Sequence, residues 1–77
     1  MRDTNDIYKI IGENIRRYRQ EKGFSQEDLA FTGGINRSFC GALERAEKKP
    51  SIDTIWKIAK TLQVPLYKFF VINEEEP

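Results

Sequence analysis

The sequence contains no histidine and a single cysteine, Cys40, among its 77 residues. One cysteine cannot form an internal disulfide, and without histidine or a cysteine cluster the chain has no plausible zinc site. The same absences exclude Ser-His-Asp and Cys-His catalytic arrangements. We therefore predict a protein that is not an enzyme and that carries no metal or other cofactor.

Long apolar runs and a signal-peptide pattern are also missing. A helix that crosses a membrane needs about 20 consecutive, mainly apolar residues, and a secretory signal needs an apolar core behind basic residues. We therefore predict a cytoplasmic protein with no membrane partner. The sequence also shows no internal repeat. Residues 1–77 are expected to form one domain, with a core at about 7–72 and flexible polar ends at 1–6 and 73–77.

The net charge is only +1, from 13 basic and 12 acidic residues, and this alone argues weakly against a nucleic-acid partner. However, three of the acidic residues stand together at 74–76, and without them 13 basic residues face nine acidic ones. Basic residues cluster in and around the middle of the chain: Arg16, Arg17, Arg19, Arg37, Arg45, Lys48 and Lys49. This distribution is typical of a surface that faces phosphates.

Two short helices joined by a tight turn are predicted in residues 25–45. Ser25 followed by Asp28 is typical of a capping box at a helix start, and Asn36 is a suitable cap for the second helix. The glycine pair at 33–34 favours a sharp reversal, because glycine adopts positive φ readily. This arrangement indicates a helix-turn-helix, whose second helix enters a DNA major groove.

Apolar residues at helical spacing predict further helices on both sides of this motif. A first helix is expected from about Asp6 to Lys22. A fourth is expected after a cap at Ser51, with a buried face that carries Ile52, Ile55, Ile58, Ala59 and Leu62. A last short helix is expected from Leu66 to about Val71. The predicted fold is therefore all-α, a compact five-helix bundle.

Three stretches of the sequence, IGENIRRYRQEKGFSQEDLA, NRSFCGALER and IDTIWKIAKTLQVPLYKFF, resemble the lambda-repressor-like family of DNA-binding proteins (Cro/repressor-type, XRE-like). The likeness runs from about Ile11 to Phe70, which is most of the chain. The sequence departs from the family at Ala46 and Gln63, where relatives usually carry glycine. The resemblance implies an ion pair between the first and third helices, formed by Arg19 and Glu44.

The resemblance places a recognition helix at about 36–45. Arg37 is the leading candidate for base recognition, because its guanidinium group matches guanine O6 and N7. The expected base-reading residues are Asn36, Arg37, Ser38, Gly41 and Ala42, of which Gly41 and Ala42 are expected to face outward. The expected phosphate-binding residues are Ser25, Gln26, Phe39, Arg45, Lys48 and Lys49. Phe39 has an alternative place beneath the helix, and Cys40 is expected in the core.

One recognition helix reads few base pairs, so such domains normally bind DNA as twofold dimers. The candidate dimer interface consists of Trp56, Leu66, Phe69, Phe70 and Val71. In the alternative, Leu66 and Phe69 only complete the core of the monomer.

These features favour a transcriptional regulator that binds double-stranded DNA sequence-specifically, as a homodimer on a near-palindromic operator, without a small-molecule ligand. A restriction-modification controller protein is a narrower possibility that the NRSFCGALER stretch favours, and phage repressors and antitoxins share the scaffold. The alternative is a protein-interaction module or antitoxin-like partner built on the same scaffold. A steep salt dependence of DNA binding would separate the two functions.

Overall fold

The computed structural model describes residues 4–72, with side chains from residue 7 onward. This part of the chain forms α1 (Thr4–Glu21), α2 (Gln26–Gly33), α3 (Arg37–Glu44), α4 (Ile52–Leu62) and a 3-10 helix (Leu66–Phe70), and no strand. The predicted all-α class is confirmed. The predicted count of five α-helices is not, because the last element is a short 3-10 helix that follows Pro65. No helix of this part of the chain is both long and apolar enough to cross a membrane.

The predicted flexible ends fall only partly on the described residues. Residues 1–3 and 73–77 lie outside them. Residues 4–6, also predicted to be flexible, instead form the first turn of α1. The Thr-Asn-Asp sequence of this turn contains residue types that favour helix starts through capping and the helix dipole. The helix then ends at Glu21, one residue before the predicted end.

One apolar cluster holds the helices together, and every element contributes to it. Its buried members are Ile11, Ile15, Leu29, Ala30, Cys40, Leu43, Ile55, Ile58, Ala59, Leu62 and Phe69. The fully buried Phe69 ring meets the Tyr18 ring edge-on at a centroid distance of 5.6 Å, a favourable aromatic geometry. Ile52, predicted on the buried face of α4, is 61% exposed. It is the first residue of α4 and lies outside the buried stripe that begins at Ile55.

All four α-helices end with the same backbone geometry. Each is followed by a residue with positive φ, namely Gly23 (81°), Gly34 (67°), Ala46 (61°) and Gln63 (59°). In each case the next N–H group donates to the carbonyl five residues earlier: Phe24 to Arg19, Ile35 to Ala30, Glu47 to Ala42 and Val64 to Ala59. These bonds define the Schellman motif. The helix ends therefore keep their geometry at Ala46 and Gln63, although glycine is absent there.

Candidate nucleic-acid interface

The turn between α2 and α3 is fixed by side-chain caps that the sequence predicted. The Ser25 hydroxyl accepts from the Asp28 N–H at 3.0 Å, and the Ser25 N–H donates to the Asp28 carboxylate at 2.8 Å, which completes the capping box. The Asn36 Oδ1 atom accepts from the Phe39 N–H at 3.2 Å. Gly34 ends α2 in the left-handed conformation. These caps fix where α3 begins and thereby place its first turn.

Two side chains from the first turn of α2 contact both ends of α3. The Gln26 Nε2 atom donates to Glu44 Oε1 at 3.1 Å, at the end of α3. The Glu27 carboxylate lies 3.4 Å from the Nε atom of Arg37, at the start of α3. The first turn of α2 thus contacts both the first and the last residue of α3.

Arg19 on α1 also contacts the end of α3, through Glu44. Its Nε and Nη2 atoms donate to the two carboxylate oxygens of Glu44 at 2.6 and 3.1 Å. Its Nη1 atom donates to the Phe24 carbonyl at 2.7 Å. The two side chains are only 10% and 4% exposed, so the ion pair that the resemblance implied is formed and is largely buried. With Gln26 on the same carboxylate, Glu44 joins α1, α2 and α3.

The N-cap and the first turn of α3 expose three of the predicted base-reading residues. Asn36, Arg37 and Ser38 are all exposed, and the Arg37 side chain is 66% exposed. Phe39 is half-buried and packs against the core, as in its alternative placement beneath the helix. The start of α3 therefore presents an amide at the N-cap, followed by a guanidinium group and a hydroxyl in the first turn.

The prediction that Gly41 and Ala42 face outward is wrong. Both residues are buried, and Ala42 is only 8% exposed. A Cβ atom on Gly41 would lie 3.1 Å from Arg45 Nη1 and 3.3 Å from Gln26 Oε1, so these two side chains cover that position. The helix is short and lies between α1 and α2, so the four consecutive residues 40–43 all become buried. These two residues are thus removed from the candidate interface.

The predicted phosphate-binding residues lie mainly at helix ends and in the loop after α3. Ser25, Arg45, Lys48 and Lys49 are exposed, and Gln26 is half-buried. The Arg45 Nη2 atom lies 3.1 Å from Glu47 Oε1, and this hydrogen bond lowers the pKa of Glu47 below its usual value. The Lys49 ammonium lies 5.5 Å from the centre of the Tyr8 ring, a contact that the sequence did not predict.

The predicted dimer residues differ in how far they are exposed: some are buried, some half-buried and some exposed. Phe69 is fully buried and cannot contribute to an interface, because its ring fills the core beside Tyr18. Leu66 and Phe70 are half-buried and pack against the core. Trp56 and Val71 are exposed. The exposed apolar surface also includes four residues that the prediction left out: Phe31, Ile52, Tyr67 and Ile72.

Asn14 is a structural residue that the sequence analysis missed. It is 3% exposed, and its Nδ2 atom donates to the carbonyls of Phe69 and Val71 at 2.9 and 3.0 Å. The side chain therefore fixes the end of the 3-10 helix against α1. A signal was present in the sequence, because Asn14 lies three residues after Ile11 on the apolar stripe of the first helix. A polar residue there needs hydrogen-bond partners when it is buried.

Cys40 is buried in the core beneath α3. Burial raises the pKa of its thiol above the usual value, and the nearby Glu44 carboxylate raises it further. A thiol in these surroundings stays protonated near neutral pH and is a poor nucleophile. Its place in the interior agrees with the prediction that it is a core residue.

Comparison with known proteins gives relatives in two groups of regulatory proteins. The control protein C.SmaI of Serratia marcescens is 38% identical over 63 residues, which are 82% of this chain and 75% of that protein. An uncharacterized HTH-type transcriptional regulator of Sinorhizobium fredii, y4dJ, is 31% identical over 72 residues, which are 94% of each chain. Both likenesses extend well beyond the helix-turn-helix itself.

Solved structures show the same arrangement of helices. The restriction-modification controller protein C.AhdI from Aeromonas hydrophila superposes with a TM-score of 0.84 and 35% identity, over 90% of this chain and 100% of that chain. The biofilm regulator SinR in complex with DNA superposes with a TM-score of 0.74 and 35% identity, over 77% and 95% of the two chains. The helix-turn-helix family matches residues 15–69. This chain therefore belongs to the helix-turn-helix family, whose similar members include transcriptional regulators and restriction-modification controller proteins.

Proposed function

We propose that this chain is a transcriptional regulator that binds double-stranded DNA sequence-specifically, in the cytoplasm, as a homodimer on a near-palindromic operator. The observation that carries the proposal is the geometry of α3. The Glu44 carboxylate fixes this helix to both α1 and α2, and its capped first turn exposes Arg37 and Ser38. A rigid helix with exposed polar side chains in its first turn is what base recognition in the major groove requires.

Arg37 is the principal base-reading residue in this proposal. Its exposed guanidinium group can donate two hydrogen bonds to guanine O6 and N7, and such a bidentate contact discriminates against other bases by about 1–3 kcal/mol. Ser38 and Asn36 stand beside it with shorter polar side chains. Gly41 and Ala42 have no part in base recognition, because they are buried.

Phosphate contacts position the protein on the duplex without reading its sequence. We assign them to the start of α2, where Ser25 and Gln26 stand at the positive end of the helix dipole, and to the exposed cations Arg45, Lys48 and Lys49. Because these cations follow α3 directly in the chain, they would meet the DNA backbone beside the groove that α3 occupies. Each phosphate contact adds to the salt dependence of binding.

The dimer accounts for exposed apolar side chains that the monomer leaves uncovered. Ile52 and Trp56 lie one turn apart on α4, and both are exposed. Val71 and Ile72 follow the 3-10 helix and are also exposed. A twofold dimer would place two copies of α3 on half-sites about 34 Å apart, so its operator would be near-palindromic. The relatives that are restriction-modification controllers or DNA-bound regulators support this function for the present chain.

Selection of bound sequences from a pool of random duplex DNA tests the proposal. We expect a near-palindromic site, a binding constant that falls steeply with salt, and a dimer in sedimentation at tens of micromolar. Lack of binding to any duplex would contradict the DNA-binding function and favour a protein-interaction module. A monomer in sedimentation, with and without the selected DNA, would contradict the dimer alone.

A further inference from the structure

Arg37 has an acidic partner across the turn of the helix-turn-helix. Its Nε atom lies 3.4 Å from the Glu27 carboxylate on α2, and the two side chains are 66% and 70% exposed. Within residues 4–72, the ion-pair partner of Arg37 is Glu27. Glu27 approaches the guanidinium group through Nε. The end edge of the guanidinium group, formed by Nη1 and Nη2, is therefore distinct from the Nε–Nη2 edge on which this contact lies.

This geometry matters because a guanidinium group offers its N–H donors in a fixed planar fork. One edge of the fork can contact a carboxylate while terminal N–H groups remain available for a second planar acceptor. A free arginine side chain has many rotamers, and ordering it on binding costs conformational entropy. A partner that orders the side chain beforehand lowers that cost. An exposed arginine in the first turn of α3 would gain most from such a partner.

We propose that Glu27 is a specificity-determining residue that positions Arg37 toward a base edge and away from the phosphates. The proposal rests on the function proposed above. The carboxylate restricts the guanidinium plane through Nε, so that Nη1 and Nη2 reach the base. Its negative charge also disfavours the competing state in which Arg37 pairs with a phosphate, because Arg37 would have to leave Glu27 to form that pair.

Glu27 has a second physical role that the test must separate from this one. It lies in the first turn of α2, where a negative charge is favourable beside the positive end of the helix dipole. Glu27→Asp keeps the charge in that turn but shortens the side chain by one methylene group, which withdraws the carboxylate from Arg37. Glu27→Gln keeps the length and removes the charge. The two variants therefore separate helix stabilisation from the positioning of Arg37.

The experiment measures the ratio of affinities for two duplexes: the site selected by the wild-type chain, and the same site with its Arg37-dependent guanine changed to adenine. For Glu27→Asp we expect this ratio to fall roughly two- to fivefold, the range that corresponds to an exposed ion pair. Its affinity for random duplex DNA and its thermal unfolding midpoint should stay at the wild-type values. Glu27→Gln should show a similar fall and should bind random duplex DNA more tightly, because a negative charge is lost.

The chain offers a matched control in the exposed ion pair between Arg17 and Glu21, with an Nε–Oε2 distance of 3.3 Å on α1. Glu21→Asp should leave the ratio unchanged. In an Arg37→Ala background, Glu27→Asp should have no further effect on it. A wild-type ratio in Glu27→Asp, or an equal fall with and without Arg37, would overturn the proposal and leave the DNA-binding function standing. Failure of the wild-type chain to select any duplex would instead overturn the proposed function together with this one.

Discussion

Gly12 on α1 lies directly against the backbone of Leu43 on α3. A Cβ atom at Gly12 would be 2.5 Å from the Leu43 carbonyl oxygen and 2.9 Å from that of Glu44. Backbone atoms of a packed helix cannot move aside as a flexible side chain can. The absence of a side chain at Gly12 therefore sets how closely α1 and α3 approach, and with it the placement of α3.

Gly12→Ala should destabilise the protein, although alanine is the better helix former. Overpacking of this kind typically costs about 1–3 kcal/mol, against a gain of about 1 kcal/mol in helix propensity. Urea denaturation measures the resulting change in the free energy of unfolding. Gly33→Ala is the control, because its nearest atoms belong to the side chains of Thr61 and Ile35, which can shift. A Gly12→Ala variant as stable as Gly33→Ala would contradict the close backbone contact.

Ala46→Gly and Gln63→Gly should each stabilise the protein. Both residues hold positive φ at the end of a helix, and the left-handed conformation costs a residue with a Cβ atom roughly 1–2 kcal/mol. Glycine also has more entropy in the unfolded chain, which offsets part of this benefit. We therefore expect each change to raise the free energy of unfolding by about 0.5–1 kcal/mol. Thermal unfolding followed by circular dichroism measures it.

The reverse change serves as the control for these variants. Gly23 has positive φ, and a Cβ atom there would meet nothing within 4 Å. Gly23→Ala should therefore show the conformational cost alone, as a loss of stability. If all three variants changed the stability in the same direction, the interpretation of these helix ends would be wrong.

Removal of either partner of the Arg19–Glu44 pair should lower the free energy of unfolding by much more than is usual for an exposed ion pair. Loss of one partner from a buried pair typically costs about 3–5 kcal/mol, because the other charge is left without compensation. Arg17→Ala breaks an exposed pair and should cost about 0–1 kcal/mol. Unfolding of both single variants and of the Arg19→Ala/Glu44→Ala double variant gives the coupling energy, and near-zero coupling would contradict the bridge.

Cys40 should react slowly with iodoacetamide in the folded protein at neutral pH. The thiolate is the reactive form, and burial raises the pKa of this thiol, with Glu44 raising it further. The rate should rise sharply in urea, where the thiol recovers its usual pKa. Mass spectrometry follows the modification. Equal rates with and without urea would show that Cys40 is accessible in the native state.

The sequence predicts the local features of this fold well. The caps at Ser25, Asn36 and Ser51 depend on side chains that bond to backbone three residues away. Such interactions lie within one helical turn, so the residue types alone indicate them. The periodicity of apolar residues likewise places the helices to within two residues.

The features that the sequence analysis missed depend on which elements meet in space. The sequence predicts that the small residues Gly41 and Ala42 face outward. In the fold, α1 and α2 enclose α3, and both residues are buried. The sequence allows Phe69 either in a dimer interface or in the monomer core, and its contact with Tyr18 decides for the core. The partners of Asn14 lie 55 and 57 residues away, and the Glu27–Arg37 pair spans the turn. No local pattern specifies these tertiary contacts.

The central claim is that α3 presents Arg37 to the edges of the bases while the loop after it contacts phosphates. The most direct test selects bound sequences from random duplex DNA with the wild-type chain, Arg37→Ala and Lys49→Ala. We predict that Arg37→Ala loses a guanine preference at one position in each half-site, worth about 1–3 kcal/mol, and that Lys49→Ala keeps every preference but binds all sequences more weakly. Retention of every preference by Arg37→Ala, with a relaxed sequence preference in Lys49→Ala, would contradict the account.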